Sequence, residues 1–114
     1  MSLVPVQAEF LLHVGELVKF ATSLGWFVTG GELYRTPEQQ ALHVQAGRSK
    51  TMNSQHLKRL AIDLNFIGKG GQPCYSAAEL EPIGTHWESL HPLNRWGGHF
   101  STFKDVPHFE RLES

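Results

Sequence analysis

Leu60-Ala61-Ile62-Asp63-Leu64-Asn65-Phe66 is the stretch whose reading decides the fold. Leu60, Ile62, Leu64 and Phe66 alternate with Ala61, Asp63 and Asn65, and side chains of successive strand residues point to opposite faces. A strand is predicted with one apolar face and Asp63 on the other. Downstream, Gly68-Lys69-Gly70-Gly71 reads as a turn. Ser76-Ala77-Ala78-Glu79 has capping-box form and opens a helix, broken or restarted near Pro82, that runs to about Leu90. Val106 to Leu112 contains a last strand. Upstream, Arg48 to Gln55 is polar and reads as a loop. Before it, Thr36-Pro37-Glu38-Gln39 starts a helix that continues to about Ala46 and stops at Gly47.

Nearer the N-terminus, Phe10, Leu11, Val14, Leu17, Val18, Ala21 and Leu24 recur at helical spacing, which predicts a helix from about Val6 to Leu24, stopped by Gly25. Trp26-Phe27-Val28 follows as a short strand, and Gly30-Gly31 as a turn or bulge. The order αβαβαβ implies an α+β domain: a small antiparallel sheet with helices packed on one side.

Length and composition narrow the function classes. With 114 residues the chain has room for one domain, 1–114, and no separate second module. Apolar content of 40% and charged content of 18% fit a folded globular protein rather than a disordered one. A net charge of −1 argues against nucleic acid or anionic lipid as a partner held by charge. Cys74 is the single cysteine, so an intrachain disulfide and a thiolate zinc knuckle are both excluded. The first residues lack the basic and apolar regions of a secretory signal, and no segment is long enough to span a bilayer. The expectation is a chain made in the cytoplasm, without membrane insertion.

Two histidines and two aspartates carry the chemical signal: His56 and Asp63, seven residues apart, then Asp105 and His108. Two imidazoles and a carboxylate with a spare carboxylate nearby is the inventory of a catalytic zinc site, which needs three protein ligands, an open position and an acid/base. Residues seven apart on one straight strand face opposite ways, so His56 and Asp63 can share a metal only if the chain bends, and Leu57-Lys58-Arg59 is the place for the bend. His108 would come from a neighbouring strand, where Pro107 limits it to an edge or a strand start. A His-Asp pair at this spacing is by itself more often a matter of turns and surfaces than of metal.

Four motifs in order are more specific. Tyr34-Arg35-Thr36-Pro37-Glu38-Gln39-Gln40, Ser54-x-His56 with Asp63, Trp96-Gly97-Gly98-x-Phe100, and Asp105-x-x-His108-x-Glu110 together resemble the zinc peptidases of the D-alanyl-D-alanine carboxypeptidase family. The phage endolysins of that family that act as L-alanyl-D-glutamate peptidases are the most similar branch. The resemblance covers roughly residues 25 to 112. It implies a hedgehog/D,D-peptidase-like sheet with one zinc ion against it, held by His56, Asp63 and His108. It also implies Asp105 as catalytic acid/base, Arg35 on the substrate or developing oxyanion, and Ser54 in support of the site. Trp96, Gly97 and Gly98 would either line the substrate groove or form a core turn. The chain departs from the family pattern at Arg59, where Gly is usual, and at Glu110, where many members have His.

On that resemblance the chain is expected to be a monomeric zinc metallopeptidase, a single catalytic domain without a wall-binding module. Its partner would be the stem peptide of peptidoglycan and its bond L-alanyl-D-glutamate. A phage lysin of this kind acts on the cell wall after release, in the host periplasm. The rivals are a D-alanyl-D-alanine carboxypeptidase and, from another class, a non-catalytic zinc-stabilised binding domain. Trp87 is expected in the core. His99 is not expected to be a ligand, and His13, His43, His86 and His91 are expected on surfaces or helix faces.

Overall fold

The computed structural model describes residues 2–47 and 54–113. Its elements are α1 (Val4–Ser23), β1 (Phe27–Gly30), α2 (Pro37–Gln45), β2 (Ala61–Ile67), β3 (Pro73–Cys74), α3 (Ala77–Ser89), β4 (Asn94–Trp96) and β5 (His108–Arg111), with 3-10 turns at Gln55–Lys58 and Gly97–His99. The strands form one antiparallel sheet in the order β1-β2-β5-β4, with β3 pairing on β2. The α+β reading therefore holds.

β2 is the hub, because its alternation serves both faces of the sheet. Leu64 and Phe66 are buried on one face, where Phe109 and Trp96 join them. Onto that face α1 presents Phe10, Val14, Leu17 and Ala21, and α3 presents Leu80, Ile83 and Trp87. Trp87 is fully buried, as expected, and its indole N–H also satisfies the backbone carbonyls of Arg95 and Glu110, 3.2 and 3.1 Å away. A buried indole needs such a partner.

Local chemistry explains the helix boundaries. Thr36 Oγ1 accepts from the Gln39 backbone N–H at 3.1 Å, and the Gln39 side-chain oxygen accepts from Thr36 N–H at 2.9 Å. This closes a capping box with Pro37 in the first turn. Ser76 caps α3 through the Glu79 N–H at 3.2 Å. α1 stops where Gly25 takes a φ of +97°, a conformation that glycine adopts without a Cβ penalty.

One expectation is corrected. α3 runs unbroken through Pro82 from Ala77 to Ser89. Of the turn or bulge expected at Gly30-Gly31 the bulge is the one formed: Gly30 pairs with Leu64 as part of β1, and beyond it Asp63 faces two residues, its carbonyl accepting from the Gly31 N–H at 2.7 Å and its N–H donating to the Glu32 carbonyl at 2.9 Å. The two short strands β3 and β4 carry too few residues for alternation to be read. The loop expected at 48–55 lies outside the described residues except for its end.

Candidate metal centre

The face of the sheet opposite α1 and α3 carries Asp63 and His108, which are paired directly across the β2–β5 register. His108 occupies the first position of β5, a central strand, so of the two placements Pro107 allowed the strand start is the one used. His56 arrives from the 3-10 turn before β2. Ser54 caps that turn, its Oγ accepting from the His56 N–H at 3.2 Å. The bend falls where the residue spacing required it: Arg59 ends the turn in a left-handed conformation, φ 57° and ψ 35°. A glycine adopts that conformation freely, which accounts physically for the residue usual at this position. Here the Arg59 guanidinium lies over the Tyr34 ring, 4.2 Å from its centroid.

His56, Asp63 and His108 each offer one ligand atom, and these atoms all lie within 4.8 Å of one another. Asp63 Oδ1 is 3.5 Å from His56 Nε2 and 3.7 Å from His108 Nδ1. Both separations exceed a hydrogen bond, and Asp63 Oδ1 is buried without a hydrogen-bond partner among the described residues. An orphaned buried carboxylate oxygen is costly. Ligands about 2.1 Å from a tetrahedral ion stand roughly 3.4 Å apart. The spacing and the orphaned oxygen therefore both fit a small divalent cation held among the three groups.

The charges agree with this geometry. Burial by itself raises the Asp63 carboxyl, but the facing imidazoles of His108 and His56 outweigh it and hold the group well below the usual carboxylate range. Burial also disfavours charge on His108, yet Asp63 and Glu110 overcome it and push the imidazole up to about 9. A cation and a proton compete for the same Nδ1 lone pair. The remaining ring nitrogens are also engaged: His56 Nδ1 meets the Leu33 carbonyl at 2.9 Å, and His108 Nε2 meets Glu110 Oε1 at 2.6 Å.

Asp105 sits at the exposed rim, just before the turn that leads into β5. Its backbone is clamped, since its N–H donates to the Gly97 carbonyl at 3.0 Å and its carbonyl accepts from the His108 N–H at 3.0 Å. Desolvation holds its carboxyl above the usual range, assisted by the charge of Asp63 and opposed by His108, His56 and Arg35. Arg35 is buried, 7% exposed, and braced on two sides. Its Nε donates to Glu32 Oε1 at 2.5 Å, its Nη2 also pairs with Glu32, and its Nη1 donates to Gln40 Oε1 at 2.7 Å.

Trp96 and its two glycines stand behind the site. Trp96 has no exposed surface, and its indole N–H donates to the Val106 carbonyl at 2.8 Å. Of the two readings given for it, burial leaves the core one. A Cβ on Gly84 would come within 2.0 Å of the Trp96 ring, and one on Gly98 within 2.3 Å, so the indole is sandwiched between two glycines. A Cβ on Gly97 would lie 2.0 Å from the Asp105 carbonyl oxygen. The glycines thus let the Trp96 ring and the Asp105 backbone come close together. His99 is not part of the cluster of candidate ligands. Its ring nitrogens bind Glu88 at 2.8 Å and Glu81 at 2.6 Å, which ties the 97–99 turn to α3.

Sequence reasoning missed Glu32 and Gln40 as the brace of Arg35. Gln40 is fully buried although polar, and it was legible only as the last residue of the 34–40 motif. It missed Glu110 as well, although His-x-Glu in a strand places both side chains on one face.

Residues 47–111, more than half of the chain, match a protein-family model described as D-alanyl-D-alanine carboxypeptidase. The chain is 34% identical over 96 residues to the L-alanyl-D-glutamate peptidase of Listeria phage A118. That alignment takes in 83% of this chain and 34% of the phage protein, so the chain spans about a third of that relative's length. Among solved structures, the Serratia marcescens L-Ala D-Glu endopeptidase ChiX superposes with a TM-score of 0.67 at 25% identity, covering 84% of this chain and 75% of that one. Among the described residues no helix is long and apolar enough to cross a membrane.

Proposed function

Because the chain belongs to the D-alanyl-D-alanine carboxypeptidase family, we propose that it is a zinc metallopeptidase of the peptidoglycan stem peptide, cleaving the L-alanyl-D-glutamate bond. The observation that carries the reading is the convergence of His56 Nε2, Asp63 Oδ1 and His108 Nδ1 around an otherwise unsatisfied carboxylate oxygen. The choice of bond is supported by the phage and Serratia relatives, both named for L-Ala-D-Glu cleavage.

His56, Asp63 and His108 would hold the zinc. When bound, zinc supplies Lewis acidity toward the scissile carbonyl and a coordinated water of pKa about 7. Asp105 acts as the acid/base. A carboxyl held above its usual range is suited to take a proton from the attacking water and hand it to the leaving amine. The Gly97 clamp fixes Asp105 beside His108, which keeps the two groups in one frame. Arg35 holds negative charge, either a substrate carboxylate or the developing oxyanion. Glu32 and Gln40 fix the plane of its guanidinium, so little side-chain entropy is lost on binding. Ser54 keeps the His56 turn in place.

The test is mass spectrometry of purified muropeptides after incubation with zinc-loaded and with chelator-treated protein. Metal-dependent cleavage between L-alanine and D-glutamate is expected. Loss of only the terminal D-alanine supports the carboxypeptidase activity that gives the family its description. An intact substrate with zinc-loaded protein overturns the peptidase reading and favours a zinc-stabilised binding domain.

A further inference from the structure

His108 and Glu110 are i and i+2 on β5, so strand geometry sets their side chains next to each other on one face. Glu110 is only 9% exposed. A carboxylate at that depth is costly unless it is paired. Among the described residues two groups are available to pair it. Arg95 lies opposite in the β4–β5 register, but its Nη1 is 3.9 Å from Glu110 Oε2, its side chain is half exposed, and its guanidinium stacks on Phe100 at 4.7 Å. His108 Nε2 is 2.6 Å from Glu110 Oε1, and both side chains are nearly inaccessible. The imidazole is therefore the stronger partner.

That contact selects a tautomer. An imidazole donating from Nε2 to a carboxylate keeps its Nδ1 lone pair, and His108 Nδ1 is the atom turned toward Asp63. His56 is arranged the opposite way. Its Nδ1 faces the Leu33 carbonyl and its Nε2 faces Asp63. The two imidazoles thus present different nitrogens to one point, each fixed by an acceptor on its far side. For His56 the acceptor is a neutral backbone carbonyl, and for His108 it is a charged carboxylate.

We propose that Glu110 is a positioning residue that holds His108 in the Nε2–H tautomer, dictates ligation through Nδ1 and strengthens this nitrogen as a metal ligand. The inference rests on the zinc reading given above. Carboxylates behind a ligating imidazole orient the ring and raise its basicity, and removing one costs 10- to 100-fold in metal affinity or activity.

The experiment compares wild type, Glu110→Gln and Glu110→Ala in zinc affinity, measured by competition with a chromophoric chelator, and in the visible spectrum of the cobalt-loaded proteins. Arg95→Ala serves as the control for the weaker partner. Glu110→Ala is expected to bind zinc about 10- to 100-fold more weakly and to shift the cobalt bands. Glu110→Gln keeps an acceptor oxygen of the same shape, so it loses less, and Arg95→Ala stays near wild type. Because Glu110→Ala could fail to fold, ring 15N shifts of His108 in zinc-loaded wild type give a readout that needs no variant. They are expected to show a protonated Nε2 and a metal-bound Nδ1. Wild-type affinity and cobalt bands in a folded Glu110→Ala protein, or ligation through Nε2, overturn the inference while leaving the zinc reading intact. A wild-type chain that takes up no zinc overturns both.

Discussion

Replacing Gly84 by alanine puts the packing of Trp96 behind the candidate site to a direct test. In an exposed helix interior, Gly→Ala stabilises by about 0.5–1 kcal/mol, because alanine restricts the unfolded chain and favours helix. Gly84 lies inside α3, but a Cβ there would sit 2.0, 2.2 and 2.7 Å from three atoms of the Trp96 indole. Ordinary contact is near 3.5–4.0 Å, so one of the two must move by more than an ångström. The indole has little freedom, being fully buried, hydrogen-bonded to Val106 and backed by Phe109 with ring centroids 6.4 Å apart. Overpacking of a fixed core costs about 1–3 kcal/mol, and this clash belongs at the upper end. After subtracting the helix gain, the net loss is about 2 kcal/mol, or a fall in Tm of roughly 6–12 °C for a domain of this size. Gly15 is the internal control, since it is also mid-helix but a Cβ added there would meet nothing within 4 Å. Gly15→Ala should raise stability by about 0.5–1 kcal/mol. Thermal and urea unfolding of chelator-treated proteins, followed by circular dichroism, reads both signs without interference from metal binding. In a Trp96→Val background, which has no ring at all, Gly84→Ala should cost much less. A Gly84→Ala protein as stable as wild type, with Gly15→Ala behaving as expected, would refute the sandwiched-indole account.

Two further predictions concern the acid/base and the His99 brace. Asp105→Asn should retain zinc and lower kcat on muropeptides by about 10²- to 10⁴-fold, the usual contribution of general acid/base catalysis; undiminished turnover assigns the proton transfer elsewhere. Burial disfavours the His99 imidazolium, but Glu81 and Glu88 outweigh it and hold its pKa above the ordinary value. A raised folded pKa stabilises fully below the unfolded value, near pH 6.5, and the contribution disappears as pH rises through the folded one. Glu81, held low chiefly by His99, keeps its half of the brace until the pH falls through the carboxylate range. The Tm gap between wild type and His99→Gln should therefore be widest near pH 6 and close at alkaline pH, and a gap that widens with pH would contradict the brace.

The sequence was most informative where a periodic pattern met an apolar face. β2, α1 and the capped start of α2 follow directly from alternation, helical spacing and the Thr36-Pro37 signal. The bend before Asp63 was legible because seven residues of straight strand cannot bring His56 to the same side. What realised it, a left-handed Arg59, is a backbone choice that local propensity argues against. Pro82 misled because a proline weakens a helix locally, whereas the burial of Leu80, Ile83 and Trp87 carries α3 through it. Glu32 and Gln40 went unread as partners of the site for a different reason. Each owes its place to a contact made by folding, and a polar residue's burial cannot be seen from its neighbours in the chain.

The central claim is tested most directly by X-ray absorption at the zinc edge on protein loaded with one equivalent of zinc. The account predicts a four-coordinate ion with two imidazoles and low-Z oxygen ligands at about 2.0–2.2 Å, and loss of one imidazole shell in His108→Ala. A shell without imidazole scattering, or one unchanged in His108→Ala, would contradict it.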